Sequence, residues 1–343
     1  MRYDDYCSMK FFVHVYVIVI SVFISCSDKV ETDIDELGCI EDNNTESADE
    51  NGDGVINENE QWLCDCNESY PEFHMVDVGT INLHVACQGS GPTIIMLHGF
   101  PEFWYSWQKV MNELSSDFRL IVPDQRGYNL TDKPDNIANY VIDSLVTDIG
   151  TLIHRVSNES IVILGHDWGG PVAWETAHVF EDEVRLMISA NGPHPTVLSN
   201  LLAQDSEQQE ASSYMSFFSS TGSENILMAN DFSMLASFFD GILTANELEA
   251  YKVAWGQENA IWGGLNWYRA ASFDTSDAPI TINVPTLVLW GLDDTALLPQ
   301  NLDGLDQYVS DLEIVPYEGV SHWIEHEVPV DISQEIRRFV QEH

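Results

Sequence analysis

From about residue 73 onward, short apolar runs alternate with longer stretches of helical periodicity. Short apolar runs are typical of strands buried on both faces, and their alternation with helices is typical of a mostly parallel sheet covered by helices. The pattern predicts eight strands, at residues 73–78, 81–87, 93–97, 119–122, 161–165, 185–190, 286–290 and 312–316. We therefore expect an α/β core built from residues 71–194 and 284–343.

A segment of helical and aromatic character, residues 195–283, separates the sixth and seventh predicted strands. A single helical insertion into a parallel sheet predicts a cap over one end of that sheet. A second independent domain is the alternative, but the aromatic density favours packing against a site.

The first 26 residues have the pattern of an export signal. Lys10 precedes an apolar run of 14 residues, and Ser25 and Cys26 follow it. A membrane-spanning helix needs roughly 20 apolar residues, so a signal peptide over residues 1–25 is favoured over an anchor. The Ser25–Cys26 pair resembles the lipobox of bacterial lipoproteins. That resemblance implies a lipidated Cys26 and an exported chain, held by lipid at the cell envelope on its periplasmic side or at the surface.

Residues 26–70 are acidic and poor in large apolar side chains, which predicts a solvated tether. Within it, residues 49–60 resemble an EF-hand or dockerin calcium loop, with Gly54 at the sixth position, where the loop turns sharply. The resemblance implies one structural Ca²⁺, and a charged spacer is the alternative. The implied ligands are Asp49, Asn51, Asp53, Val55 through its backbone, Asn57 and Glu60.

Four cysteines lie outside the predicted signal peptide and its lipidation site. A disulfide from Cys39 to Cys64 or Cys66 would close a loop around the calcium segment and compensate for its lack of a core. A metal site at Cys64 and Cys66 is the rival hypothesis. Cys87 ends a predicted strand, so we expect it to be a buried apolar thiol.

The charge balance restricts the partners. Thirteen Lys and Arg against 56 Asp and Glu give a net charge of −43 at pH 7. Such a charge repels phosphate backbones, so nucleic acid is an unfavourable partner.

The candidate chemistry begins where the fifth predicted strand ends. Asp167 follows an apolar run, lies between Gly165 and Gly169, and precedes a helix that begins near Pro171. This spacing is typical of a nucleophile elbow, in which a tight turn exposes the central side chain. A carboxylate is a poor nucleophile toward esters, but it can displace oxygen or halogen at saturated carbon. Peptidase, lipase and esterase functions are therefore disfavoured.

Five segments together resemble the epoxide hydrolase family of the α/β-hydrolase fold, from about residue 72 to residue 343. These segments are His98–Trp107, Pro123–Tyr128, Gly165–Gly170, Leu265–Ala270 and Gly319–Trp323. The resemblance implies an eight-stranded, mostly parallel sheet with the cap inserted after the sixth strand. It also implies hydrolysis of an epoxide to a vicinal diol without a cofactor.

The same resemblance assigns roles. Asp167 is the nucleophile, His322 is the base and Asp294 orients the base. Tyr214 and Tyr268 on the cap donate protons to the epoxide oxygen. Weaker alternatives remain for three of these roles: Asp293 for the acid, His326 for the base and Tyr251 for a proton donor.

Two further sets of contacts are expected around Asp167. The backbone N–H groups of Phe100 and Trp168 would form an oxyanion hole for hydrolysis of the covalent ester. The residues expected to contact a bound apolar epoxide are His98, Pro101, Trp104 and Trp267. The main alternative activity is haloalkane dehalogenation, which uses the same Asp-His-Asp triad.

Overall fold

The computed structural model describes residues 55–56, 61–63, 65–275 and 278–343. They form one nine-stranded sheet in the order β1-β2-β3-β5-β4-β6-β7-β8-β9. The strands are β1 Val55–Ile56, β2 Glu72–Asp77, β3 Asn82–Gln88, β4 Thr93–Leu97, β5 Arg119–Pro123, β6 Ile161–His166, β7 Val184–Ala190, β8 Thr286–Gly291 and β9 Leu312–Tyr317.

The predicted α/β architecture is confirmed, and all eight predicted strands occur within one residue of the expected bounds. From β5 through β9 neighbouring strands run parallel, whereas β3 is antiparallel to both β2 and β5. The central strands β4, β6 and β8 are almost wholly buried. That burial explains why they appear in the sequence as continuous apolar runs instead of alternating ones.

Helices cover the sheet and form the cap. The helices of the core are α1 Gln108–Leu114, α2 Ile142–Val156, α3 Gly169–Val179, α10 Ile324–Glu327 and α11 Pro329–Glu342. Those between β7 and β8 are α4 Pro195–Gln204, α5 Ser206–Ala211, α6 Tyr214–Phe218, α7 Ser223–Phe238, α8 Ala245–Trp255 and α9 Ala260–Ala270. Helix α7 is interrupted, because residues 229–232 leave helical backbone angles. The insertion after β7 is therefore helical, as the sequence pattern predicts.

The parallel arrangement determines where chemistry can occur. Strands β4, β6 and β8 run parallel, so their carboxyl ends lie on the same side of the sheet, and Leu97 of β4 pairs with Gly165 of β6. The loops that follow these strands carry Phe100, Asp167 and Asp294. In open parallel sheets this side is where ligands bind.

The described residues before β2, which are 55–56, 61–63 and 65–71, pack against the sheet, whereas the sequence predicts a solvated tether there. Ile56 and Trp62 are each only 2% exposed. The Trp62 N–H donates to the Arg155 carbonyl at 2.7 Å, and Arg119 donates to the Trp62 carbonyl at 2.7 Å. The Arg119 guanidinium also lies 5.2 Å from the centre of the Trp62 ring, within the range of a cation–π contact. A few apolar residues in an acidic segment are thus sufficient to attach it to the core.

A disulfide joins Cys66 to the sheet, and it contradicts one of the two expected pairings of Cys39. The other, Cys39 with Cys64, stays a prediction, because both residues lie outside the described ones. Cys66 is bonded to Cys87, with the Cα atoms 5.9 Å apart, so Cys66 does not pair with Cys39. Cys87 is fully buried as expected, but it is not a free thiol. The bond closes a loop across the β2–β3 hairpin instead of one around the calcium segment.

Several expectations fall outside the described residues. They concern the signal peptide, Cys26, Cys39, Cys64 and five of the six implied calcium ligands, Asp49, Asn51, Asp53, Asn57 and Glu60. Val55, the sixth, pairs in β1 with Met75 of β2. Within the described parts of the chain, no helix has the length and apolar character needed to cross a membrane.

We predict that Trp62→Ala destabilises the whole domain. Removing a large, buried aromatic side chain typically costs about 3–5 kcal/mol, and here the cation–π contact with Arg119 is lost as well. The neighbouring Leu63→Ala is the matched control, because Leu63 is 37% exposed and should cost far less. Urea unfolding followed by tryptophan fluorescence measures both. Equal small effects would show that the segment does not belong to the core.

Candidate active site

The nucleophile elbow is formed as the sequence predicts. Strand β6 ends at His166, helix α3 begins at Gly169, and Asp167 lies between them with a φ of 47°. A non-glycine residue in this left-handed region carries backbone strain, which is typical of functional turns. A Cβ atom at Gly165 would lie 2.1 Å from the Gly169 carbonyl oxygen, so the turn closes only because residue 165 lacks a side chain.

The loop after β4 fixes one oxygen of the Asp167 carboxylate. The Phe100 N–H donates to Oδ1 of Asp167 at 2.8 Å. This approach requires Gly99, where a Cβ atom would lie 2.3 Å from Cβ of Asp167. Oδ1 is held by the loop, and Oδ2 faces the opposite side.

His322 lies on that opposite side. Its Nε2 is 3.6 Å from Oδ2 of Asp167, and its Nδ1 is 2.7 Å from Oδ2 of Asp294. Asp294 is almost fully buried and is itself oriented. Its Oδ1 accepts the N–H groups of Ala296 and Leu297 at 2.8 and 2.9 Å, and Asn191 donates to Oδ2 at 2.8 Å. The structure therefore brings Asp167, His322 and Asp294 into one chain of contacts.

Electrostatics couples these three groups. Burial disfavours a charged His322, but the carboxylates of Asp294 and Asp167 outweigh it and hold the pKa of His322 well above its usual value. Burial likewise opposes ionisation of Asp294, yet the charge and hydrogen bond of His322 keep the pKa of that carboxyl below its usual value. Asp294 and Asp167 together thus favour the protonated form of the His322 imidazole before substrate binds.

A cavity of about 420 Å³ opens above Asp167, large enough for a drug-sized ligand. Tyr214, Tyr268, Trp168 and Trp267 line it together with Asp167. The rings of Tyr214 and Tyr268 are neighbours, with centroids 6.3 Å apart. Burial, followed by the Asp167 charge, raises the pKa of both tyrosines, so their hydroxyls stay protonated over the physiological range.

Tyr251 and His326, the alternatives weighed from the sequence, belong to a different cluster. Tyr251 donates to Oε1 of Glu102 at 3.0 Å, and Nε2 of His326 is 3.0 Å from the same oxygen. The described residues that line the cavity include neither Tyr251 nor His326. Cavity lining therefore favours Tyr214 and Tyr268 over Tyr251. Contact with Asp167 and Asp294 favours His322 over His326.

This second cluster, formed by Glu102, His166, Tyr251, Glu325 and His326, contacts the triad through His166. Nδ1 of His166 is 3.0 Å from Oε2 of Glu102, and its Nε2–H donates to the His322 carbonyl at 2.9 Å. Burial opposes the charge of Glu102, but hydrogen bonds to His166 and His326 hold its pKa well below the usual value. Burial and the nearby Glu102 charge raise the pKa of Glu325 well above the usual value. Glu102 is thus the anion of the cluster, and Glu325 is held protonated beside it.

In the described part of the chain, ligand atoms of Glu102, Glu325 and His326 are close enough to hold a metal, within 4.8 Å of one another. The hydrogen bonds that Glu102 makes with His326, Tyr251 and His166 already use both Glu102 oxygens and Nε2 of His326. A metal would have to displace these bonds, so we assign none to the cluster.

Only one of the four residues expected to contact substrate lines the described cavity. Trp267 lines the cavity, but His98, Pro101 and Trp104 do not. His98 is fully buried, and its Nε2 accepts the Gln125 N–H at 3.1 Å, so it shapes the loop. Trp104 packs edge-on against Phe73. The Trp104 N–H donates to Oδ1 of Asp124 at 2.9 Å, so His98 and Trp104 both fix the loop after β4 and neither lines the cavity.

Asp293 and Asn191 show what the sequence could and could not indicate. Asp293 is exposed, consistent with the preference for Asp294. Asn191 was missed as a partner of Asp294, although it follows β7 directly and has the positive φ of 40° typical of Asn in tight turns. Its position at the end of a strand, beside Gly192, was the available signal.

The fold and the strand-end site define an α/β hydrolase. Residues 92–327 match the family described as the alpha/beta hydrolase fold. The chain is 36% identical to the AB hydrolase superfamily protein YfhM of Bacillus subtilis, over 78% of this chain and 96% of that protein. It is also 33% identical to epoxide hydrolase 4 of Homo sapiens, over 79% of this chain and 76% of that protein.

A solved structure agrees with these sequence relatives. The epoxide hydrolase of Bacillus megaterium in complex with an inhibitor matches with a TM-score of 0.74 at 31% identity, covering 79% of this chain and all of that one. Within the α/β hydrolases, the chain belongs to the epoxide hydrolase family.

Proposed function

We propose that this protein hydrolyses an epoxide to a vicinal diol through a covalent ester on Asp167. The observation that carries the proposal is the placement of a carboxylate nucleophile and two neutral tyrosine hydroxyls around one cavity. A carboxylate can displace oxygen at a saturated carbon, and a departing alkoxide needs a proton donor. Both are present on opposite walls, the carboxylate on the core and the hydroxyls on cap helices α6 and α9.

In the first step, Oδ2 of Asp167 attacks an epoxide carbon, and the carbon–oxygen bond of the ring breaks. The electron pair goes to the epoxide oxygen, which Tyr214 and Tyr268 stabilise by hydrogen bonds and which takes a proton from one of them. Oδ1 is held by Phe100 throughout, which leaves Oδ2 free to react. The product is an alkyl ester of Asp167.

In the second step, water attacks the ester carbonyl. Formation of the ester removes the Asp167 charge, and that charge is one of the causes of the raised pKa of His322. The pKa of His322 therefore falls, which favours the neutral imidazole that accepts a proton from water. The oxyanion develops on the carbonyl oxygen, where we place the N–H groups of Phe100 and Trp168. It then collapses, the bond between the acyl carbon and Oδ2 breaks, and the diol leaves with Oδ2 while the water oxygen stays on Asp167. His322 gives its new proton to the departing alkoxide and regains one from the Asp167 carboxyl, and the proton that His322 carried before the step replaces the one that the tyrosine gave up.

We expect His322→Gln to trap the ester, because attack by Asp167 needs no base whereas ester hydrolysis does. Intact-protein mass spectrometry after incubation with styrene oxide should show the added mass of one substrate, located on Asp167 by peptide mapping. His326→Gln is the matched control and should not accumulate the ester. Ester accumulation in His326→Gln with normal turnover in His322→Gln would reverse the two roles. The epoxide hydrolase proposal would be refuted if His322→Gln stayed unmodified and the wild-type protein produced no diol.

Tyr214→Phe and Tyr268→Phe should each slow formation of the ester in single-turnover experiments. Removing one donor from a site where charge develops typically costs on the order of a hundredfold in rate, and we expect the double variant to be nearly inactive. Tyr251→Phe is the comparison, since its hydroxyl faces Glu102 and not the cavity. Wild-type alkylation rates in both single variants would remove these tyrosines from the mechanism.

Haloalkane dehalogenation is the weaker candidate. Both activities use the Asp167–His322–Asp294 arrangement, but a halide leaves without a proton donor. The paired tyrosine hydroxyls therefore favour the epoxide. Phe100 stands where a halide-binding Asn would be expected, which also disfavours the dehalogenase.

We further propose that the chain is exported as a lipoprotein and anchored through Cys26. The disulfide between Cys66 and Cys87 supports export, because such bonds persist in oxidising compartments. Membrane fractionation with Cys26→Ser as the control tests the anchor, and a membrane-bound Cys26→Ser chain would refute it.

We also propose that residues 49–60 bind one Ca²⁺ with a structural role. Val55 and Ile56, the seventh and eighth loop positions, pair with Met75 and Val76 of β2, so the loop has a fixed attachment to the sheet. We expect a chelator to expose residues between about 40 and 60 to protease while diol formation continues. Glu60→Gln should have the same effect without a chelator, because Glu60 is the implied bidentate ligand. Calorimetry that shows no calcium uptake by the intact protein would leave the segment as a charged spacer.

A further inference from the structure

We infer that the cavity selects its substrate by charge, accepting epoxides with a cationic or neutral far end and rejecting epoxides that carry a carboxylate. This inference rests on the proposed function, because it concerns the substrate of the same cavity. It is carried by the chemistry of the lining, which is aromatic around the reacting groups and otherwise apolar or neutral polar, apart from three acidic side chains.

The acidic side chains come from three separate parts of the fold. Asp143 lies in the first turn of α2, Glu175 lies on α3, and Asp274 lies in the segment that follows α9. All three line the same cavity as Asp167, and the described lining contains no Lys or Arg. His178 is the one His in the described lining, and its Nδ1–H donates to the Thr281 carbonyl at 2.9 Å. Fixed charge in the described lining is therefore of one sign.

The exposure of these residues places the charge away from the nucleophile. Asp143 and Asp274 are exposed and Glu175 is half-buried, whereas Asp167 is only 8% exposed. The acids therefore mark the outer part of the cavity, where the far end of a bound epoxide would lie. A carboxylate at that end would leave water without gaining a cationic partner, which is unfavourable.

Aromatic rings beside the acidic side chains would also favour binding of a substrate that carries a positive charge. Trp168 and Phe273 are both half-buried, line the cavity and have ring centroids 6.4 Å apart. Asp274 follows Phe273 directly. An ammonium group gains from aromatic faces and from nearby carboxylates at once, whereas a carboxylate gains from neither. The overall charge of −43 acts in the same direction during approach.

Three probes of similar size test the inference: phenyl glycidyl ethers with a para-aminomethyl, a para-carbamoyl or a para-carboxylate group. We expect kcat/KM for diol formation to decrease in that order. The ratio of the ammonium to the carboxylate probe should be on the order of tenfold or more at low ionic strength, and it should shrink as salt screens the exposed acids. Equal values, or a faster carboxylate probe, would overturn the inference.

Substitutions of the acidic lining residues test whether they cause the charge preference. Asp143→Asn, and separately the pair Glu175→Gln with Asp274→Asn, should each reduce the ammonium-to-carboxylate ratio by roughly two- to fivefold. Asp306→Asn removes one charge from an exposed residue that does not line the cavity, and it should leave the ratio unchanged. Equal effects of Asp306→Asn and the lining variants would show that the ratio reflects net charge alone, and would overturn the assignment to the cavity.

The outcomes separate this inference from the proposed function. Diol formation from the neutral probe establishes the epoxide hydrolase activity, whatever the charge preference is. If no probe yields diol, the proposed function fails. If all three yield diol at the same kcat/KM, only the charge selection fails.

Discussion

The site depends on one constraint, the left-handed backbone of Asp167 at the end of β6. At a φ of 47°, the turn directs the Asp167 carboxylate between the loop after β4 and the loop of His322. Such a conformation costs on the order of 1–3 kcal/mol and persists only where the surroundings enforce it. Close backbone contacts at Gly99 and Gly165 do so here, because a side chain at either position would collide with its neighbours. The two carboxylate oxygens consequently have different partners before any substrate binds.

The cluster around Glu102 supports the same geometry from behind. Through His166 it reaches the His322 carbonyl, and through Tyr251 it reaches helix α8 of the cap. Trp255 of α8 also donates to the Pro101 carbonyl at 2.6 Å. The cap is therefore bonded to the loop that holds Phe100. A buried anion surrounded by donors is costly to disturb, so these contacts hold cap and core in one arrangement.

Periodicity and motif order made much of this predictable. Apolar runs located the eight strands, because strands buried on both faces require continuous apolar residues. The turn around Asp167 was predictable because its conformation demands small neighbours. The pairing of Cys66 with Cys87, the two-residue strand β1 and the hydrogen bond from Asn191 to Asp294 were not, because each depends on which segments meet in three dimensions. The absence of His98 and Trp104 from the cavity lining has a related cause: the sequence does not show whether an aromatic motif beside a nucleophile lines the cavity or packs against the core.

The position of β1 has a consequence for solubility. Strand β2 would otherwise form the edge of the sheet, with unpaired backbone groups available to a strand from another molecule. Val55 and Ile56 occupy that position over Met75 and Val76, and the disulfide keeps the following segment on the sheet. This short strand covers the backbone groups of Met75 and Val76, and a hydrolase domain expressed from β2 onward would leave those groups open to a strand of another molecule.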